Sequence, residues 1–416
     1  MTVVATRTEG PSLVGQYRVV VGDGPMQILE ALARRIRGHR IVMVNSTASG
    51  GGVSEILHRL VPLFNELGVP TTWEVMPGDL RFHGITKTIH NALHGAPVRL
   101  GAEDEDYYHE VNRRAAAELA LDGDLVFIHD PQPAALILHR RHAGQRWVWR
   151  CHIDLSHAEP HAWELLAPVV ELYDTAIFSH VAFVPRLASP AVLAPPSIDP
   201  FSDKNRDLAE AESEELLAPF DLPERTPWVT QVSRFDRLKY PLGVLEAFTL
   251  VRAREDAHLV LAGGGADDDP EGAEVLAAVR EKTGRRDDVT VLLLPVDSHL
   301  AINALQRRST VVVQKSLREG FALTVSEALW KRRAVVAGAV GGIPLQVLHE
   351  RTGLLVRSVE GCAYQITRLL RAPDLRRRLG AAGRERVRGN FLHPREARDY
   401  LAVFVRLLES GGRPAA

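Results

Sequence analysis

Short apolar runs alternate with longer amphipathic stretches along most of the chain. The runs are rich in valine, isoleucine and leucine, which is typical of parallel strands buried on both faces. We therefore predict an α/β fold with two doubly wound parallel sheets. The candidate strands of the first half are Arg40–Asn45, Thr72–Met76, Leu125–His129, Trp147–Cys151, Thr175–Ser179 and Ala191–Pro195. Those of the second half are Trp228–Ser233, His258–Ala262, Val289–Leu294, Thr310–Gln314, Ala334–Ala337 and Gly353–Val356.

A polar segment separates the two halves. It reads PPSIDPFSDKNRDLAEAESEELL, which is typical of a linker that turns and then enters a short acidic helix. A chain of 416 residues is also too long for one hydrophobic core. We expect an N-terminal domain at 1–198 and a C-terminal domain at 199–393. The helical pattern within 394–416 either closes the second domain or returns to the first.

Composition and charge narrow the class of partner. The chain is 45% hydrophobic and 25% charged, as in folded soluble proteins, and its net charge of −2 gives no electrostatic case for nucleic acid or an anionic membrane. Its two cysteines, Cys151 and Cys362, lack metal-type spacing and suit a reducing compartment. No secretory signal pattern and no membrane-length apolar run is seen. We expect a cytoplasmic protein with small-molecule partners.

A glycine-rich loop follows the first predicted strand, in NSTASGGGVSEIL. Gly50, Gly51 and Gly52 allow the backbone to approach a ligand closely, and a helix beginning near Val53 would direct its amides towards an anion. The loop is not a Walker motif, because the GK[ST] ending is missing. A tight turn remains the alternative interpretation.

Polar side chains follow two further strands, in IHDPQP and RCHIDLS. Ligands of open parallel sheets bind beyond the carboxyl ends of the strands. Several donors and acceptors at such ends suit a polyhydroxylated ligand, although a single histidine there is often structural. The residues are His129, Asp130, Gln132, His152, Asp154 and Ser156.

The second half contains a candidate pyrophosphate pocket. Arg234 and Lys239 follow a strand in SRFDRLK, where both cations can reach one anion. In REGFALTVSEAL, we expect a helix to begin near Phe321, with free amides at its start that favour an anion. Solvated surface charge is the alternative for the two cations.

Two glutamates flank that helix start. Glu319 precedes it and Glu327 lies nearly two turns along it. Carboxylates on either side of a diphosphate suit a nucleotide sugar, with sugar hydroxyls on one side and ribose hydroxyls on the other. One capping glutamate and one helix-face glutamate is the simpler alternative.

This combination resembles the retaining GT-B glycosyltransferases of family four, in which two Rossmann-like domains face a central cleft. The resemblance rests on the glycine-rich loop, SRFDRLK and the E-x7-E pattern. More narrowly, TKTIHNALHG, VFIHDPQP and WRCHIDLS are similar to the trehalose glycosyltransferring synthases. That group joins the glucose of a nucleotide diphosphate glucose to free glucose, reversibly, in an α,α-1,1 linkage. One departure is Lys239-Tyr240-Pro241, where the wider family has glycine soon after the lysine.

The resemblance implies a role for each matching residue. Arg234 and Lys239 would hold the diphosphate, Glu319 the donor glucose and Glu327 the ribose. The implied catalytic set is Glu319, Arg234, Lys239 and His152. The implied donor-binding set is Gly51, Gly52, Arg234, Lys239, Glu319, Gly320, Phe321, Ala322, Leu323 and Glu327. The implied acceptor-binding set is Asp130, Lys87, His90 and Asn91.

The same resemblance implies the mechanism and partners. The departing diphosphate would take the proton of the attacking hydroxyl, while the cations and amides stabilise its charge. They would replace a divalent metal, so no metal site and no required cofactor are expected, and stimulation by Mg²⁺ stays open. The expected substrates are ADP-, UDP- or GDP-glucose, glucose and trehalose, and a homodimer is compatible with the sequence.

Three other functions stay open from the sequence. A trehalose phosphorylase would use inorganic phosphate in the same fold, although a ribose contact by Glu327 argues against it. A sugar-nucleotide epimerase would act without an acceptor, and a sensor would bind without turnover. An NAD enzyme is disfavoured, because the first loop lacks G-x-G-x-x-G.

Overall fold

The computed structural model describes residues 2–3, 12–49, 51–142, 144–264, 270–284 and 286–410. The chain divides into two compact units, Met1–Ser197 together with His393–Ala416, and Ile198–Leu392. Each unit contains one predominantly parallel sheet with helices between its strands, which confirms the predicted fold class. No helix in the described part of the chain is both long and apolar enough to cross a bilayer.

The first unit has a seven-stranded sheet in the order β1-β3-β2-β4-β5-β6-β7. Only the short β1 runs antiparallel, and sequence patterning missed it because two residues show no periodicity. Its strands are β1 (Thr2–Val3), β2 (Ile41–Asn45), β3 (Thr71–Val75), β4 (Leu125–His129), β5 (Arg146–Arg150), β6 (Thr175–Phe178) and β7 (Ala191–Leu193). Its helices are α1 (Leu13–Val21), α2 (Asp23–Arg35), α3 (Gly52–Glu66), α4 (Leu80–Leu93), α5 (Ala102–Glu118), α6 (Pro160–Val170) and the terminal α15 (His393–Ser410).

The second unit has a six-stranded, wholly parallel sheet in the order β10-β9-β8-β11-β12-β13. Its strands are β8 (Trp228–Val232), β9 (His258–Gly264), β10 (Val289–Leu294), β11 (Val311–Gln314), β12 (Ala334–Gly338) and β13 (Leu354–Val356). Its helices are α7 (Glu210–Leu217), α8 (Pro241–Arg252), α9 (Pro270–Thr283), α10 (His299–Arg308), α11 (Leu323–Trp330), α12 (Ile343–Gln346), α13 (Val359–Arg371) and α14 (Pro373–Asn390).

Burial explains why the apolar runs were readable as strands. Every residue of the central strands β2, β4, β8 and β11 is buried, as expected when helices cover both faces of a parallel sheet. The edge strands β7 and β10 are largely exposed or half-buried, because neighbours cover them on one side only. The predicted strand bounds agree with the observed ones to within two residues.

Each sheet reverses its strand order at one place. In the first unit the reversal falls between β2 and β4, and in the second between β8 and β11. Loops leaving the carboxyl ends of such neighbouring strands turn to opposite faces, and the crevice between them is the usual ligand site of this fold. The loops with the predicted chemistry follow these four strands, and also β5 beside β4.

A buried polar network attaches α15 to the first unit. The Arg150 Nε donates to the Tyr400 hydroxyl at 3.1 Å, and that hydroxyl donates to Glu396 Oε1 at 2.7 Å. The other Glu396 oxygen accepts from the Ser197 hydroxyl, which also lies 2.7 Å from His393 Nδ1. All five side chains are almost wholly buried, so each bond replaces one that water would otherwise supply.

Replacing Tyr400 with phenylalanine tests this network. The variant removes the hydroxyl that connects Arg150 and Glu396 and leaves two buried charged groups each short of one partner. We expect a loss of about 2 to 4 kcal/mol in the unfolding free energy of the first unit, measured by denaturant titration. Tyr364→Phe, at a residue 62% exposed in the second unit, is the matched control and should change little. Equal midpoints for Tyr400→Phe and wild type would contradict the role given to the network.

Candidate active site

The loops after β8 and β11 lie against each other at the strand-order reversal of the second unit. The Leu317 amide donates to the Leu238 carbonyl at 2.7 Å, which ties the two loops together. From within β8, the Gln231 side chain donates to the Lys239 carbonyl at 2.9 Å. These bonds fix the short 3-10 turn Arg237–Lys239 beside the loop that carries Glu319.

Lys239 and Glu319 form a direct ion pair. Lys239 Nζ lies 2.6 Å from Glu319 Oε2, and the same oxygen accepts from the Ser316 hydroxyl at 3.1 Å. Sequence reasoning assigned the two residues to different parts of a ligand and did not foresee their contact. Arg234 is more exposed, and its guanidinium lies 3.4 Å from Asp236. Both cations therefore stand at this end of the sheet, each beside a carboxylate.

The helix after this loop begins at Leu323, two residues later than predicted. Ala322 occupies the N-cap position with φ 69°, a left-handed conformation that costs an alanine about 1 to 2 kcal/mol. No backbone hydrogen bond in the described ranges uses the amide of Phe321, Ala322 or Leu323 as donor. Three amides next to a helix start make a site for an anion.

Two glycines outside the predicted set hold this loop in place. A Cβ on Gly341 would lie 1.6 Å from the Glu319 carbonyl oxygen, and one on Gly342 would lie 2.5 Å from that of Gly320. The chain after β12 can approach the loop this closely only without side chains. The segment AGAVGG at a strand end was the available signal, and it was missed.

Tyr240 occupies a left-handed turn directly after Lys239. It has φ 53° and precedes Pro241, the first residue of α8. Glycine adopts this conformation without steric cost, whereas a tyrosine is strained in it. Here the ring lies over Gly243, where a Cβ would come within 2.0 Å of a ring carbon. The turn is thus kept, with the strain offset by packing on a glycine.

Glu327 is placed differently from Glu319. It lies in the second turn of α11 and is 2% exposed. Its Oε2 is buried without a hydrogen-bond partner among the described residues. A buried carboxylate oxygen without a donor is costly. It is thus suited to accept hydrogen bonds from a hydroxylated ligand.

In the first unit, Gly51 is the N-cap of α3 and has φ 92°. A Cβ built there would meet nothing within 4 Å, so glycine is required by the backbone conformation and not by crowding. The helix begins at Gly52, one residue earlier than predicted. Gly50 lies outside the described residues.

His129 and His152 form a stacked pair at the carboxyl ends of β4 and β5. His129 Nδ1 lies 3.2 Å from His152 Nε2, and the ring planes differ by 15°. Burial, and secondarily Arg150, lowers the pKa of His129 to about 3 and holds that of His152 well below its usual range. Both rings are therefore neutral near pH 7. The resemblance had assigned a role to His152 alone.

The neutral pair has a preferred arrangement of protons. His129 Nε2 is buried without a partner in the described ranges, and an unpaired acceptor is tolerated better than an unpaired N–H. The proton of His129 thus belongs on Nδ1, which donates to His152 Nε2. His152 then carries its own proton on Nδ1 and can donate from there to a ligand oxygen.

Asp130 supports the same loop in a strained conformation. It has φ 67°, and its amide donates to the Arg150 carbonyl at 2.8 Å. Its Oδ1 accepts from the His152 amide at 2.8 Å. Burial raises the pKa of Asp130 to about 6, opposed by the His152 amide and by Arg150. The residue as a whole is half-buried, and its carboxyl is desolvated.

Three of the four predicted acceptor residues lie on α4, and the fourth, Asp130, follows β4. His90 and Asn91 lie three and four residues after Lys87, so all three share one helix face, and each is half-buried. The His90 ring contacts that of His94, one turn further along, with 4.7 Å between ring centroids. This face is separate in sequence from the strand-end residues.

Comparison with known proteins places this chain in a family. Residues 43–185 match the family described as "Trehalose synthase, N-terminal domain", and residues 212–386 match "Glycosyl transferases group 1". The trehalose synthase of Pyrococcus horikoshii is 40% identical, across 95% of this chain and 97% of its own length. The chain belongs to the trehalose synthase family of glycosyltransferases. It is therefore a glycosyltransferase whose reaction concerns trehalose, as predicted.

Two further comparisons bear on fold and on the alternatives. The structure of a sucrose-phosphate synthase from Thermosynechococcus elongatus aligns with a TM-score of 0.70 at 19% identity, covering 89% of this chain and 100% of that one. At this identity the likeness concerns the fold, and it confirms the predicted GT-B class. A trehalose phosphorylase of Pleurotus pulmonarius is 31% identical across 82% of this chain but 53% of its own length.

Substituting Asp130 with asparagine tests the buried carboxyl. Because the folded-state pKa is raised from 3.8 to about 6, the stability that this group contributes is complete below pH 4 and is lost as pH rises through 6. The unfolding free energy of wild type relative to Asp130→Asn should fall by roughly 2 kcal/mol between pH 4 and pH 7. Denaturant titrations at several pH values measure this difference. A difference that stays constant with pH would show that the carboxyl is not desolvated.

Proposed function

We propose that this family member transfers glucose from a nucleoside diphosphate glucose to free glucose, with retention, and so forms α,α-1,1-linked trehalose reversibly. The observation that carries the proposal is the cluster at the strand-order reversal of the second unit. There, two cations, three amides without backbone acceptors and two buried carboxylates stand at one end of the sheet. This is the set of groups that a nucleotide sugar requires.

The diphosphate is assigned to the positive part of this cluster. Lys239 acts as a point charge, the exposed Arg234 can form forked bonds, and the amides at the start of α11 donate to phosphate oxygens. In the structure Lys239 is paired with Glu319. A diphosphate therefore competes with that carboxylate for the ammonium, and its binding would release Glu319 to accept sugar hydroxyls.

The two carboxylates are assigned to the two ends of the donor. Glu319 accepts hydroxyls of the donor glucose, and Glu327, with its unpartnered oxygen, accepts those of the ribose. Each end is thereby recognised by paired hydrogen bonds to a charged oxygen, each worth about 1.5 to 3 kcal/mol. Gly320 and Phe321 shape the chain between them.

Residues of the first unit are assigned to the sugars. The resemblance assigns the Nδ1–H of His152 to a hydroxyl of the donor glucose, and Gly51 and Gly52 to the phosphate and reacting carbon. Asp130 lines the sugar site. Lys87, His90 and Asn91 are assigned to the acceptor, on the resemblance rather than on any contact that joins them to the other groups.

Retention follows because the acceptor hydroxyl attacks the anomeric carbon from the face that the diphosphate leaves. The bond between the anomeric carbon and the diphosphate oxygen breaks, and the acceptor hydroxyl bonds to that carbon from the same face. Its proton passes to the departing phosphate oxygen. Arg234, Lys239 and the helix amides stabilise the charge on the leaving group, an effect worth several kcal/mol, on the order of 3 to 4 for one such donor. The scheme includes no required cofactor, and Mg²⁺ enters only as a possible stimulant.

A phosphorylase reaction on trehalose is the second candidate, favoured by the similarity to the fungal phosphorylase. It would place inorganic phosphate where the leaving phosphate is proposed. The phosphorylase reaction brings no ribose hydroxyl to the buried carboxylate of Glu327, whereas in the nucleotide reaction this carboxylate binds the ribose. The requirement for inorganic phosphate or for a nucleotide separates the two.

Product analysis tests the proposed reaction. Pure protein is incubated with ADP-, UDP- or GDP-glucose and free glucose, and the disaccharide is identified by NMR. We expect two α anomeric centres joined 1,1, with release of the nucleoside diphosphate. If the protein cleaves trehalose only with inorganic phosphate, and forms no product from any nucleotide glucose, the phosphorylase reaction replaces the proposal.

Two variants separate phosphate binding from sugar binding. Lys239→Ala should lower the affinity for both the nucleoside diphosphate and the donor by about 10- to 100-fold, because each ligand loses a bond to a charged group. Glu319→Gln should lower turnover by about 100-fold or more while nucleoside diphosphate affinity changes only a few-fold. Calorimetry and initial rates measure the two effects.

The control for these variants is Lys282→Ala. Lys282 is 52% exposed and pairs with Glu246 on the surface, so its removal should leave binding and turnover unchanged. Normal turnover in Glu319→Gln, or unaltered nucleotide binding in Lys239→Ala, would remove the residue concerned from its assigned role.

A further inference from the structure

Lys331 is a buried lysine beside the candidate ribose carboxylate, and nothing above assigns it a role. It is 3% exposed and lies one helical turn after Glu327, at the end of α11. Its ammonium donates to Asn205 Oδ1 at 3.0 Å, to Gln306 Oε1 at 2.7 Å and to the Glu327 carbonyl at 3.3 Å. A lysine ammonium has three N–H groups and no acceptor, so its three donors have three partners.

The acceptors belong to different parts of the second unit. Asn205 lies in a turn that its own side chain closes by donating to the Asp199 carbonyl at 2.9 Å. Gln306 lies on α10, and its amide group also donates to the Thr324 carbonyl in the first turn of α11, at 3.3 Å. Lys331 and Gln306 therefore hold α11 at both of its ends.

Such an ammonium is costly in this place. Burial lowers the pKa of Lys331 from its ordinary value, the Glu327 carboxylate opposes that shift, and Arg307 and Lys204 add to it. A buried cation is tolerated only when its hydrogen bonds are complete. Two of the three bonds therefore tie the end of α11 to α10 and to the Asn205 turn, and the third stays within α11.

We propose that Lys331 is the positioning residue for ribose recognition: by anchoring α11 to Asn205 and Gln306, it holds the Glu327 carboxylate where two ribose hydroxyls bind. This rests on the proposed function, in which Glu327 binds ribose. The unpartnered Oε2 of Glu327 has no side-chain donor of its own to orient it, so its position depends on that of the helix. Hydrogen bonds to such an oxygen weaken steeply when distance or angle departs from the optimum.

Ribose selectivity is the readout that tests this proposal. The probes are ADP, UDP and GDP, the 2′,3′-dideoxy form of whichever binds most tightly, and inorganic pyrophosphate, each titrated by calorimetry. Wild type should prefer the ribose form by about 10-fold or more, since two bonds to a charged oxygen are lost in the dideoxy form. In Lys331→Met the preference should fall to below about 3-fold, with pyrophosphate affinity within about 2-fold of wild type.

The control is Ser309→Ala, also in the second unit. Ser309 is wholly buried, just before β11, and lies away from the loops that follow the strands. Its hydroxyl donates to the Leu305 carbonyl at 2.6 Å and lies 2.6 Å from the Thr230 hydroxyl of β8. Its removal should lower stability and leave ribose selectivity unchanged. This control separates a general loss of stability from loss of the anchor.

The outcomes separate the positioning role from the function on which it rests. If Lys331→Met keeps the wild-type preference, or loses affinity for all probes equally, the positioning role is overturned. If wild type binds no nucleoside diphosphate, the proposed function fails instead. Should Lys331→Met not fold, Gln306→Met removes one of the three acceptors and should lower the preference partially, and an unchanged preference there would also overturn the role.

Discussion

The order of strands reverses once in each sheet, and this reversal determines where the candidate loops at the strand ends lie. Between β8 and β11 the chain leaves the sheet towards opposite faces, and the two loops that follow must pass each other at the carboxyl ends of the strands. That geometry brings the Arg237–Lys239 turn against the loop of Glu319. The reversal between β2 and β4 places the glycine loop and the His129 segment at the carboxyl ends of neighbouring strands.

Charge is distributed unequally over the resulting site. Lys239 and Glu319 form an ion pair at 2.6 Å, which stabilises the loop and places one cation and one carboxylate side by side. Glu327 Oε2 instead has no hydrogen-bond partner in the described ranges, while the Lys331 ammonium donates to the neutral side-chain oxygens of Asn205 and Gln306. One carboxylate is thus exchangeable between partners, and the other is held in a fixed place. Those properties suit, respectively, a sugar that must be released and a nucleoside that identifies the donor.

Three of the six non-glycine residues with positive φ in the described ranges lie in or beside these loops. Asp130, Tyr240 and Ala322 all have positive φ although none is glycine, and each lies at or next to a candidate binding segment. Each such residue costs about 1 to 2 kcal/mol, which the surrounding contacts must offset. Trp149 and His152 hold Asp130, and Gly243 accommodates the Tyr240 ring. Gln346 binds the Phe321 carbonyl next to Ala322.

Local sequence patterns predicted the strands, the fold class and the candidate binding segments, because apolar periodicity and strand ends are local properties. These patterns placed Lys239, Glu319, Glu327 and His152 on the observed loops and helix. Packing of the folded chain paired Lys239 with Glu319 and His129 with His152, and it gathered Asn205 and Gln306 around Lys331. Those contacts join residues 23 to 126 positions apart. Their distances depend on the order in which strands and helices pack, which no local pattern encodes.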